Sequence, residues 1–391
     1  MAVKVEHDES TAALSFFVVL PPELQVTILS YLPTPDLFSV FNSSRYLHSL
    51  AKNQSLWTQL TLDWTHIKKN YKFCKDLVQS ERYSKLRSAK ITFRSCDRYD
   101  KIVNTEFQES AKKLVNIIDM ILDIETLTSI KIDKNILIAE SLLSKLSQKS
   151  SLTRVEASGY HIKSSILSAF VNLANLRIFK LCDMQHLNSE DFEHLFSSLK
   201  NLTTVEVPSA RIKDSAIACL VTNNVNLNHL VIDHCNSVTS KSIRILAKAC
   251  PELQHVSMKK CDKLREADAI HLLSSCPQLR HVGFTRIGDK TLRKIQEVCP
   301  KMRSVSLQYC QLVSERGLTE LLTSAPKFQK LELIHDTILR VANDFDEKFR
   351  IKYPDNKVKI QIRGIFYYID SFSADCNAAR HNNLSSHIHL I

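Results

Sequence analysis

The sequence predicts an α/β solenoid, with parallel strands along a concave face and helices outside, preceded by a small all-helical unit. Three observations lead there. A strand-like pattern of apolar residues returns nine times at nearly constant spacing, helical spacing fills the gaps between strands, and one short stretch near the start is too apolar to face a single neighbour.

That stretch is LPPELQVTILSYLP, residues 20–33. At about 100° per residue, Tyr31, Leu24, Ile28 and Leu32 fall in one stripe, and Leu29 and Val26 carry the apolar arc past half the circumference. A helix with one neighbour needs a stripe of only about 100°. This helix is therefore expected to meet its own unit on one side and something else on the other. The alternative is a cap packed wholly on the following repeats, although caps ordinarily show a polar outer face.

Next comes a basic region. Residues 64–113 hold thirteen Lys/Arg against six Asp/Glu, within a chain of net charge +11. No nucleic-acid-reading motif accompanies them, so the readings are a solvated face or a contact for an acidic or phosphorylated protein. A first strand is expected at Leu86/Ala89/Ile91, 41 residues upstream of the next, so that repeat carries an insertion.

The regular pattern L-x-x-L-x-L then begins. Its triplets are Leu127/Ile130/Ile132, Leu152/Val155/Ala157, Leu176/Phe179/Leu181, Leu202/Val205/Val207, Leu227/Leu230/Ile232, Leu253/Val256/Met258, Leu279/Val282/Phe284, Met302/Val305/Leu307 and Phe328/Leu331/Leu333. First positions differ by 23 to 26 residues, the period range of leucine-rich repeats. Between strands the spacing turns helical, as in Ile243, Leu246 and Ala247 or Leu292 and Ile295. Ser189, Asp214, Asp289 and Ser314 are expected as N-caps, and Cys250-Pro251, Cys276-Pro277, Cys299-Pro300 and Ala325-Pro326 as helix ends. Units of this length cannot bury their faces singly and must stack.

The ninth position of three units holds Cys235, Cys261 and Cys310, which resembles the cysteine-containing class of leucine-rich repeat. The resemblance implies that this side chain is buried and bonds the loop backbone. Cysteines placed one per repeat lack the paired spacing of a zinc site, so no metal and no cofactor are expected.

The opening stretch now has a counterpart. Leu20-Pro-Pro-Glu-Leu24, Ile28-Leu29-Ser-Tyr-Leu32, Asp36-Leu37, Leu50-Ala51 and the closing Leu56-Trp57 resemble an F-box in order and spacing, with Ser43, Ser44 and Leu47 departing from its common second half. With the repeats behind it, the chain resembles the F-box and leucine-rich-repeat family. That resemblance implies a non-catalytic substrate receptor of SCF-type ubiquitin ligases, docking on a Skp-type adaptor, indirectly on a cullin scaffold, and holding a protein substrate. It also implies the adaptor-contact residues Leu20, Pro21, Pro22, Leu24, Ile28, Leu29, Leu32, Asp36, Leu37, Leu56 and Trp57. Trp57 has a second reading, as a core aromatic. The physical contribution of such a receptor is proximity between a substrate lysine and a charged conjugating enzyme.

On the concave face, three successive units place His229, His255 and His281 in the same slot, flanked by Asp233 and Lys259. Strands about 4.8 Å apart make these a ladder. Partly protonated imidazoles beside a lysine would receive a phosphate or carboxylate of a substrate; the alternative is polar filling of a solvated face.

Composition bounds the rest. At 391 residues, 44% hydrophobic and 24% charged, the chain reads as globular. No apolar run reaches the roughly 18 residues that span a bilayer, and the acidic start is unlike a secretory leader, so a cytoplasmic or nuclear protein with neither membrane nor nucleic acid as partner is expected. Five glycines build no phosphate-cradling loop, and no HExxH or GxSxG occurs, which argues against an enzyme. The second functional reading is a repeat scaffold without a ubiquitin role. The expected organisation is an arm over 1–17, the helical motif over 18–62, a linker and irregular repeat over 63–126, the solenoid over 127–335, a cap over 336–362 and a tail over 363–391.

Overall fold

The computed structural model describes residues 17–50, 53–63, 71–72, 74–75, 78, 85–92, 105–132, 140–158, 164–182, 187–325, 327–334 and 345–363. The expected arm up to residue 16, Ala51, Pro326, much of the basic region and the tail from residue 364 lie outside the described residues. The chain divides into two compact units, residues 1–94 with 99–131 and residues 95–98 with 132–391.

The first unit opens with α1 (Pro22–Ser30), α2 (Thr34–Ser43), α3 (Arg45–Leu50) and a 3-10 turn over Gln54–Trp57. Both α1 and α2 carry proline in the first turn. Trp57 is fully buried between Phe38 and Phe41, with ring centroids 5.8 and 5.5 Å away. Two residues on, the chain enters a strand that the sequence pattern did not announce, β1 (Gln59–Asp63), which pairs in parallel with β2 (Ser88–Thr92). Leu60 and Leu62 of β1 are buried opposite Ala89 and Ile91. The Thr34 hydroxyl accepts from the Thr61 N–H at 3.0 Å, tying α2 to that strand. The insertion before the next strand, β3 (Ser129–Ile132), contains a long helix, α4 (Thr105–Asp123), with Leu114, Ile117, Ile118, Ile121 and Leu122 buried.

In the second unit strand and helix alternate: α5 (Glu140–Ser147), β4 (Arg154–Ser158), α6 (Ser164–Phe170), β5 (Ile178–Cys182), α7 (Ser189–Ser198), β6 (Thr204–Glu206), α8 (Asp214–Asn223), β7 (His229–Val231), α9 (Ser240–Ala249), β8 (His255–Ser257), α10 (Glu266–Ser275), β9 (His281–Thr285), α11 (Asp289–Val298), β10 (Ser304–Gln308), α12 (Glu315–Ser324), β11 (Lys330–Ile334), α13 (Phe345–Lys352) and β12 (Lys359–Arg363). From β4 to β12 each strand pairs in parallel with its successor in the chain, in the leucine-rich-repeat manner. Every residue of the nine apolar triplets is buried. The expected last helix and strand are α13 and β12.

The capping scheme differs from expectation. Ser314 is an N-cap whose hydroxyl accepts from the Gly317 N–H. Ser189, Asp214 and Asp289 are instead the first helical residues, and their side chains reach the start of the next helix. Asp214 accepts from the Thr239 N–H and hydroxyl at 2.9 and 2.7 Å, and Asp289 does the same for Ser314 at 2.9 and 2.6 Å. The Ser189 hydroxyl accepts from the Lys213 N–H, and Glu266 accepts from the Gly288 N–H and the Thr291 hydroxyl. The Ser240 hydroxyl donates to Asp268, linking α9 to α10. Orphan N–H groups of helix starts are thus satisfied from the neighbouring repeat.

At the helix ends, Cys250, Cys276 and Cys299 are buried C-caps, as the prolines after them imply. Burial pushes their thiols up, to about 11, 12 and 11 respectively, so they remain protonated and inert. Cys261 donates to the Ile232 carbonyl at 3.1 Å and Cys235 to the Val207 carbonyl at 3.5 Å, in keeping with the role the resemblance implied.

Candidate functional site

Helix α1 has two faces. Gln25, Val26 and Leu29 point inward, while Leu24 is 50%, Ile28 46% and Tyr31 84% exposed. Pro21, Pro22 and Asp36 are exposed beside them, and Leu20 and Leu32 are half-buried. The outer stripe expected from the wide apolar arc is therefore present on this unit, in the angular sector that Leu24, Ile28 and Tyr31 define.

Four of the expected contact residues lie elsewhere. Leu29, Leu37, Leu56 and Trp57 are closed inside the unit, where the Trp57 ring meets Phe38 and Phe41. Their spacing reports the core of the motif, because the same 3.6-residue period serves both faces of a short helix. Sequence reasoning missed Gln25. Fully buried, its Nε2 donates to the carbonyls of Leu20, at 2.7 Å, and Val18, at 3.2 Å, while its Oε1 accepts from the Tyr46 hydroxyl at 2.6 Å. Gln25 thus holds the Leu20-Pro21 lead-in against α1. A polar residue inside an apolar stretch was the available signal, since burial without partners is costly.

In the second unit, the parallel register places His229, His255 and His281 opposite one another. The first two rings stack with centroids 3.9 Å apart and the next pair lie 5.4 Å apart. His229 Nε2 is 2.8 Å from Glu206 Oε1, and Lys180 Nζ is 2.7 Å from the same oxygen. Burial alone would raise the Glu206 carboxyl, but the His229 bond and Lys180 outweigh it and draw it down to about 2.

Burial works against the positive charge that the slot suggested for two of these rings. Burial first, then the neighbouring imidazoles, pull His255 down to about 3, and burial with Arg303 lowers His281 as well. Both are neutral near pH 7. Asp233 and Lys259 do not flank an open slot either, for both are buried. Lys259 Nζ lies 3.4 Å from Asp233, whose Oδ1 also accepts from the Ser257 hydroxyl and the Lys259 N–H, each at 2.7 Å. The pair stitches β7 to β8.

Among the described residues no helix is long and apolar enough to cross a membrane. The model of the F-box-like family matches residues 17–63, which cover α1 to α3, the 3-10 turn and β1. A search of curated protein sequences gives no match. Among solved structures, a chain of the yeast Rad7–Elc1 complex is similar with a TM-score of 0.52 and 15% identity, over 85% of this chain and 94% of that one. The leucine-rich repeat-containing protein LegL7 from Legionella pneumophila gives a TM-score of 0.38 and 15% identity, over 68% of this chain and 89% of that one. An F-box-like segment runs into β1 and, after an irregular repeat with a 41-residue spacing, parallel strands and helices recur every 23 to 26 residues, so the chain combines an F-box-like segment with leucine-rich repeats.

Proposed function

We propose that the chain is the substrate-recognition subunit of an SCF-type ubiquitin ligase, docking on a Skp-type adaptor through the outer face of α1 and presenting a protein client held on the repeats. The observation that carries this reading is the two-faced helix α1, closed inward on Val26 and Leu29 and open outward on Leu24, Ile28 and Tyr31, within the segment that matches the F-box-like family. Apolar side chains grouped beside an exposed Pro21-Pro22 lead-in form a patch that a partner covers. The yeast chain of similar fold belongs to a two-protein complex, which supports a partnered role. Contact with a cullin scaffold would be indirect, through the adaptor, and the chain itself would contribute position and no catalysis.

The test is adaptor capture by the full chain. Leu24→Ser with Ile28→Ser should weaken it about a hundredfold, since each side chain contributes roughly 1.5 kcal/mol or more when covered. Both residues are exposed, so the melting temperature should hold. Replacing Leu20 and Pro21 together should act in the same direction. Undiminished capture by the Leu24/Ile28 variant would remove the outer face of α1 as the docking surface, and no capture by the parent chain would favour the scaffold reading, in which the repeats bind a partner with no ubiquitin connection.

A further inference from the structure

The prolines that open α1 leave its start short of ties. Pro21 occupies the N-cap and makes no side-chain cap, and the Leu20–Pro21 peptide has no N–H. The Leu20 carbonyl is the one hydrogen-bonding group that this peptide possesses. Gln25 Nε2 donates to it at 2.7 Å and to the Val18 carbonyl at 3.2 Å. Because a peptide is planar, fixing the oxygen of Leu20 fixes the plane to which the Pro21 ring is attached. Val18 and Val19, 51% and 82% exposed, lie on the segment held in this way. The segment runs into α1, whose first bonds close on the Pro21 carbonyl from the Leu24 and Gln25 N–H groups, at 3.0 and 3.1 Å.

The amide of Gln25 is itself oriented. Its two ends are alike in shape, but only the nitrogen end serves a carbonyl. The Tyr46 hydroxyl, on α3, donates to Oε1 at 2.6 Å and so turns the nitrogen toward both carbonyls. Gln25 shares the inward side of α1 with Val26 and Leu29, where an aliphatic side chain would fill the space with no polar atom to satisfy. What the amide adds over such a side chain is aim.

We propose that Gln25, locked by Tyr46, is a positioning residue for adaptor docking: it holds the lead-in that carries Val18, Val19 and Pro21 in the pose the adaptor takes up. The inference rests on the docking role of α1 proposed above. Leu24 and Ile28 stand on a helix that keeps its own shape, whereas Leu20 and Pro21 precede its first residue and take their pose from these side-chain bonds. Without the amide the two carbonyls turn to water, and the lead-in samples several poses of which the adaptor binds one. Apparent affinity then falls with the fraction of chains in that pose. The loss lies in association, since a bound adaptor itself holds the lead-in in place.

The test measures association and dissociation rates of a purified Skp-type adaptor on the immobilised full chain, together with melting temperatures. Gln25→Met, which keeps the size and drops the bonds, should lower affinity about tenfold, mostly through slower association. Leu24→Ser with Ile28→Ser, which removes contacts, should instead speed dissociation. Tyr46→Phe should slow association about threefold, and should add nothing in a Gln25→Met background, because the hydroxyl acts only through the amide. An unchanged association rate in a folded Gln25→Met chain overturns the proposal, as does a loss confined to dissociation or a Tyr46→Phe effect that persists without the amide. Should Gln25→Met fail to fold, Tyr46→Phe, at an exposed ring, decides by the same rates. Binding lost by the Leu24/Ile28 variant but kept at the parent rates by Gln25→Met speaks against this inference alone. No binding by the parent chain speaks against the docking role, and the inference falls with it.

Discussion

The carboxylate of Asp233 is buried and bound three ways, by the Ser257 hydroxyl, the Lys259 N–H and the Lys259 ammonium. Asp233→Ala leaves that ammonium inside without its counter-charge, and a broken buried pair costs about 3–5 kcal/mol. Lys259→Met keeps the two neutral donors and fills the space, so urea unfolding should show a markedly smaller loss; equal losses would mean that the charge pair, and not the hydrogen bonds, holds the site. The histidine ladder makes a prediction of the opposite kind. His255 stays neutral down to about pH 3 in the folded chain, whereas the unfolded chain takes up a proton near 6.5. The native state therefore binds fewer protons between these values, and stability falls as pH falls through that window, by about 1.4 kcal/mol per unit. Glu206, drawn down to about 2, adds a second loss below about 4.5. His255→Asn should flatten the melting temperature between pH 6.5 and 4.5 relative to the parent chain; an unchanged slope there would show that the ring titrates in the folded state.

Helix starts in the second unit are joined in a chain of side-chain caps, and Asp289 illustrates the consequence. Its carboxylate grips Ser314 and occupies the space over Gly317, where an added Cβ would sit 2.6 Å from the carboxyl carbon. Alanine for glycine in a helix ordinarily gains up to about 1 kcal/mol. Gly317→Ala should instead lower the melting temperature, and in an Asp289→Ala background it should recover most of that loss, a coupling that a double-mutant cycle measures. Asp214→Ala should cost about 1–2 kcal/mol through the Thr239 cap. This lateral capping is what the sequence shows least well. A short polar residue before a helical run reads as a local N-cap, and nothing in one repeat tells whether Asp214 serves its own helix or the next. The apolar triplets were legible because burial repeats with the strand period, as Leu230 and Leu331 show, fully buried in equivalent slots. Strand β1 was less so, since Trp57 takes the first apolar position of Trp57/Leu60/Leu62 and had already been assigned to the helical motif. At the candidate sites, the strand period put the three histidines in one register, but burial, which that period does not report, decides their charge.

From β4 to β12 each strand touches its neighbours in the chain, so interactions in the second unit are between adjacent repeats. Stability in such a stack is approximately a sum of repeat and nearest-neighbour terms, and a local defect spreads only as far as those terms carry it. Leu230→Ala in β7 opens a cavity at a fully buried position and should cost about 2–5 kcal/mol. Because His229, Leu230 and Val231 register against both Thr204–Glu206 and His255–Ser257, the loss should reach both sides at once. Hydrogen exchange followed by mass spectrometry should then quicken most over β6 to β8, less over β5 and β9, and least over β11. Ile360→Ala in β12, which pairs with β11 alone among the described residues, should quicken exchange over β11 and β12 and leave β7 nearly unchanged. Uniform acceleration across all strands after Leu230→Ala would mean that the unit opens as one cooperative block. A client surface on any repeat could then be lost only by unfolding the whole stack, whereas graded acceleration would let substitutions in β7 to β10 loosen those repeats while the rest remain folded.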